Sequence, residues 1–145
     1  MMTSWHILAV ACLCVLLVWF IDRAVTRSRH STLRQLAHRR GVRYSPLDRF
    51  RITHRIVADL PTVGAADVYV RDLMYASGTD AYTYVFTIEY ALGTVGGATR
   101  HCVVARATEP VGRSCDRFVS VHFAERRLGL SQQYEAMLDA LESKA

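Results

Sequence analysis

The chain has 145 residues, room for one ordinary domain, 51% of them hydrophobic, with a formal net charge of +5. Neither excess belongs to the chain as a whole: the apolar residues crowd the N-terminus, while ten arginines against three aspartates give Asp22 to Leu60 a net of +7 and leave the remainder at −2. That excludes a uniformly basic surface, and Cys12, Cys14, Cys102 and Cys115 exclude a zinc framework, since no CxxC or histidine spacing accompanies them.

Trp5 to Ile21, "WHILAVACLCVLLVWFI", holds no formally charged side chain and one titratable one, His6. As a helix it spans roughly 25 Å, the lower edge of a bilayer crossing, and the flanking turns close the shortfall. Trp5 marks one end and Trp19 with Phe20 the other, as in an aromatic belt. A buried core helix would carry a polar stripe, and none is present. A cleaved signal peptide needs a positive start and small residues at its end, whereas the first basic residue is Arg23 and "VWFIDRAV" offers no A-x-A pattern. Residues 1–25 are therefore read as an uncleaved anchor and residues 26–145 as the domain. Arg23, Arg27, Arg29, Arg34, Arg39 and Arg40 follow the span, with none before it, so the N-terminus is expected outside and the domain in the cytoplasm, at the cell membrane. There Cys102 and Cys115 are expected reduced; an inverted topology would make a bridge between them the first thing to seek.

The polar neck "DRAVTRSRHS" contains no helix breaker and is expected to continue the helix. "STLRQLAHRRG" places Leu33, Leu36, Ala37 and Arg40 on one face, with Gly41 as C-cap. The stretch after Pro46 reads as loop with one short strand around Phe50 to Val57. From Ala66 the period changes to two: "ADVYVRDLMYASG", "AYTYVFTIEYALG", "ATRHCVVARAT" and "RFVSVHF" are strands, joined by turns at Ser77-Gly78, "TVGG" and "VGRSCD". In the second of these, Tyr82, Tyr84, Phe86, Ile88 and Tyr90 form an alternate row, read as the inward face of a central strand. Buried tyrosine hydroxyls need partners, so one ring near a strand end, Tyr82 or Tyr90, is expected to reach solvent. A C-terminal helix capped by Ser131, with Tyr134, Met137, Leu138 and Leu141 as its apolar face, is the expected cover of the sheet. The fold expected is α+β: a transmembrane helix, then a small domain with an antiparallel meander sheet and flanking helices.

Candidates for chemistry are few. Glu89, an acid within a strand, sits opposite the aromatic row and is expected to pair with Arg100 or Arg106 on the next strand. His101 and Cys102 are adjacent in a strand and point to opposite faces, so they form no dyad; His122 reaches Cys102 in one register only. His30, His38 and His54 lack metal-site spacing, and Gly96-Gly97 is hairpin chemistry rather than a phosphate loop. No cofactor is implied. The six arginines of the neck first of all set topology. As a cluster just inside a membrane they would also attract anionic lipid heads at about 1 kcal/mol each. Nucleic-acid binding ranks below this, because only Tyr44 and Phe50 interleave with the basic residues.

The single span, the segment "LRQLAHRRGVRYSPLDRF" and the hairpin "YVFTIEYALGTV" together resemble short bacterial membrane-anchored proteins of no established activity. That resemblance covers most of the soluble part and implies neither function nor site. The expectation is a membrane-tethered, non-catalytic binding or scaffold domain with a protein partner. The alternative is a membrane-anchored enzyme using Cys102 or His122.

Overall fold

A computed structural model describes residues 4–60, 62, 64–93, 98–112, 117–125 and 127–142. The "TVGG" loop, most of the "VGRSCD" turn with Cys115, and the side chain of Leu141 lie outside the described residues. Helix α1 runs unbroken from Ser4 to Arg39, so span, neck and amphipathic segment are one helix. Two compact units divide after Thr32. Within the first, one stretch near the N-terminus is long and apolar enough to cross a membrane, and its apolar side chains are exposed. A secretory signal sequence would meet the same length and composition. Arg23 lies over the Trp19 ring at 5.2 Å, a cation–π pairing at the polar end of the apolar stretch.

The second unit contains a five-stranded antiparallel sheet in simple meander order. Its strands are β1 (Arg43–Leu47), β2 (Ala66–Ser77), β3 (Ala81–Leu92), β4 (Thr99–Pro110) and β5 (Ser120–Phe123). Two short helical pieces, α2 (Ile52–Ile56) and a 3-10 turn (Val57–Asp59), sit between β1 and β2, and α3 (Leu130–Glu142) closes the chain. The α+β meander read from the sequence is thus the fold.

The region after Pro46 departs from expectation. The strand comes earlier, at Arg43–Leu47, where Pro46 is tolerated because β1 is an edge. Residues 52–56 are helical because Asp48 organises them: its carboxylate accepts from the Ile52 N–H (2.9 Å), the Thr53 N–H (2.8 Å) and the Thr53 hydroxyl (2.8 Å). A carboxylate satisfying the free donors of a first turn favours helix over strand locally.

The sheet is buried on both faces, which the alternation alone did not reveal. Tyr84, Phe86, Ile88 and Tyr90 belong to one core with Val103, Ala105 and Ala107, and Ile52, Ile56 and Phe118 close it. Val85 and Val104 belong to a second core, covered by Leu33, Leu36 and Ala37 of α1 and by Tyr134, Met137 and Leu138 of α3. The C-terminal helix therefore covers the face opposite the aromatic row. A strand apolar on its alternate face as well has two layers to bury, and α2 supplies the second.

Several polar groups beside the second core are matched, while Arg106 Nη1 is buried without a hydrogen-bond partner among the described residues. The Tyr134 hydroxyl lies 2.9 Å from that of Thr87 and donates to the Asp72 carbonyl at 2.6 Å. Asp72 sits at a β-bulge with φ 52°, a left-handed conformation that Asp tolerates better than most residues, and its carboxylate accepts from the Tyr44 hydroxyl at 2.7 Å. Gln133 Oε1 accepts the Val104 N–H at 3.2 Å. The start of α3 differs in detail: Gly129 precedes it and donates its N–H to Gln132 Oε1 at 3.1 Å, so Ser131 lies in the first turn rather than at the cap.

Candidate functional site

One end of the sheet, where β2 and β4 finish and β1 and β3 begin, holds a cleft of about 880 Å³. Register builds it. Arg43 pairs with Tyr75, and Tyr75 with Tyr84; one step outward Ser77 pairs with Tyr82, and Tyr82 with Glu109. Antiparallel partners share a face, so these side chains lie in two adjacent rows on the aromatic face of the sheet. Ala107, next to Tyr84 across β4, is too small to fill the space between rows. Phe50 reaches in from the turn that Asp48 organises. Its ring lies 5.0 Å from Tyr75 and 5.4 Å from Tyr84.

Glu109 anchors the inner end of the cleft. Arg55 of α2 donates from Nη1 to Oε2 at 3.1 Å and brings Nη2 within 2.9 Å of Oε1 as an ion-pair contact. The Tyr84 hydroxyl donates to the same Oε2 at 3.2 Å. Arg55 also lies over the Phe118 ring at 4.0 Å, and Phe118 in turn lies 6.0 Å from Tyr84. Burial, and then the neighbouring Glu109 carboxylate, push the Tyr84 hydroxyl from its ordinary 10.0 up to about 12. Tyr84 is therefore a neutral donor across the physiological range. The arrangement can hold a ligand against aromatic faces beside the Arg55–Glu109 ion pair, and the Tyr84 proton sits too tightly for acid or base work near neutrality.

The alternate row of β3 differs in exposure along its length. Tyr90 is 1% exposed and stacks on His101 at 5.5 Å, Tyr84 is buried on Glu109, and Tyr82 at 38% is the ring that reaches solvent. Sequence reasoning missed Phe50, Arg55, Tyr75 and Glu109 as site residues. The available signal was Glu109 itself, an acid directly before Pro110: extending β4 to full pairing with β3 puts it inside the strand.

The residues singled out from sequence do not converge here. Arg23, Arg27, Arg34 and Arg39 are exposed and Arg29 is half-buried, while Arg40 forms an ion pair with Asp139 of α3. Glu89 lies 3.6 Å from Arg71 on the preceding strand, and Arg106 stands opposite Val85 in register. Cys102 pairs with Glu89, and His122 pairs with Arg106, four residues along β4 from Cys102. At about 3.4 Å per residue that offset is roughly 14 Å, too far for a direct thiol–imidazole contact. Among the described residues no three His, Cys, Asp or Glu side chains gather as a metal site.

No protein-family model, curated protein or solved structure matches the chain.

Proposed function

We propose that the chain is a single-pass membrane protein whose N-terminus lies outside the cell and whose α+β domain is a non-catalytic binding module on the cytoplasmic side. The cleft at the end of the sheet carries this reading. It is concave and lined by aromatic rings, and the acid in its lining, Glu109, is already paired with Arg55 and Tyr84, which suits holding a ligand more than transforming it. The register separation of Cys102 and His122 favours the same reading over a thiol enzyme. In this reading Arg23, Arg27, Arg29, Arg34 and Arg39 face anionic lipid heads of the inner leaflet, and Arg40 is shared with Asp139.

Reporter fusions after Ala145 test the orientation. Fluorescence from a cytoplasmic reporter is expected, and alkaline phosphatase activity at that position overturns it. Full-length protein cleaved after the span should then remain on anionic vesicles and wash off neutral ones. Equal release from both removes the lipid role of the neck.

A further inference from the structure

We propose that the cleft takes a small planar organic anion, a ring system of one or two rings bearing a carboxylate, sulfonate or phosphate. This inference rests on the domain being a binding module and names its ligand class.

The walls supply the planar part. Phe50 remains 40% exposed and Tyr82 38% exposed, although both rings line a concave surface. Phe50 is held in place by its edge contact with Tyr75, 73° between planes, and by Tyr84. Rings already fixed by neighbours lose little freedom when a flat ligand stacks on them, so most of the stacking energy is kept.

Charge selects the sign. The lining contains one acid, Glu109, and one base, Arg43. Glu109 is neutralised by its ion pair with Arg55 and bonded again by Tyr84, so a ligand cation would have to compete with a guanidinium already in place. Arg43 is exposed and has no acidic partner among the described residues. Arg49 and Arg51, both exposed, flank Phe50 in the chain. The uncompensated charge presented to a ligand is therefore positive, and a guanidinium favours a planar or tetrahedral oxyanion.

Size sets the scale. Arg43 on β1 and Glu109 on β4 are separated by three strand spacings, roughly 14 Å, with Tyr75 and Tyr84 as the floor between them. A fused two-ring system with an acidic substituent fits that length, with the acid toward Arg43 and the rings over the tyrosines.

The test uses the full chain in nanodiscs, with empty discs subtracted, and three probes of matched size: naphthalene-2-sulfonate, 2-naphthol and 2-naphthylmethylammonium. Calorimetry is expected to show the sulfonate binding at least about tenfold tighter than the ammonium, the worth of one charge-assisted hydrogen bond. Arg43→Gln should bring the sulfonate down to the level of naphthol and leave naphthol unchanged. Phe50→Ala should weaken all three. Both positions are exposed, and matching thermal melts will verify that the variants fold. An ammonium that binds as well as the sulfonate, or no effect of Arg43→Gln, overturns the anion assignment while the binding reading stands. If no naphthyl probe binds, or Phe50→Ala changes nothing, the cleft is not the site and both fall.

Discussion

Glu109, next to last in β4, has the Arg55 guanidinium on one side and a tyrosine hydroxyl on the other, and the neutrality of the cleft's inner end depends on that pairing. Removing one partner of a buried pair strands the other charge, so Arg55→Met should cost about 3 kcal/mol in urea unfolding. A loss below about 1 kcal/mol would place the pair among solvent-screened surface bridges instead. Tyr84 adds a pH signature. Its hydroxyl sits at about 12 in the folded chain against an ordinary 10.0, so across that window the unfolded chain releases a proton the folded chain keeps. Its stabilisation is complete below pH 10.0 and is lost as pH rises toward 12. The stability gap between wild type and Tyr84→Phe should hold steady to that point and then shrink; a constant gap through pH 12 refutes the assignment. Little of this was readable in the chain. Tyr82 to Tyr90 announced themselves by alternation, but Arg55 and Glu109 lie 54 positions apart and nothing local links them.

At the scale of elements, two short-range devices set where α1 ends and α2 begins. Gly41, at φ 64°, donates to the His38 carbonyl at 3.3 Å, and Val42 donates to that of Ala37 at 3.0 Å. These are the paired bonds of a Schellman motif, and they turn the chain from helix into β1. A Cβ at Gly41 would meet nothing within 4 Å, so the cost of Gly41→Ala is backbone strain alone, about 1–2 kcal/mol. Thermal unfolding of that variant measures it, and an unchanged midpoint would mean that the turn relaxes freely. Asp48→Ala removes acceptors for the Ile52 and Thr53 N–H groups and should cost about 1–2 kcal/mol, with greater exposure of Phe50 to quenchers. The Gly41 cap was foreseen because its signal, a glycine after an amphipathic stripe, is local. The Asp48 turn was missed because "DRFRITHRI" carries β-branched residues that read equally well as strand, and the carboxylate decides only once it closes on the amides.

For the whole molecule, the compact second unit begins at Leu33, inside α1. Leu33 and Leu36 are buried against the sheet, each worth roughly 1.5–3 kcal/mol. A chain starting at residue 26 should stay folded by circular dichroism and proton NMR, while one starting at Gly41 should lose most of a typical stability margin. Equal stability of the two would show that the last turns of α1 are dispensable.

The sequence by itself determined the long apolar helix, the meander of strands, the cap at Gly41 and the inward row of β3. Each depends on hydropathy or spacing over neighbouring residues, and the chain carries that information locally. Only the tertiary structure decided that α3 covers the face opposite the aromatic row, that two aspartates in left-handed conformation bulge β2, and that Arg55, Tyr84 and Glu109 meet at the inner end of a cleft. Those outcomes depend on register between strands and on which of two apolar faces each helix takes, and contacts between distant residues settle both.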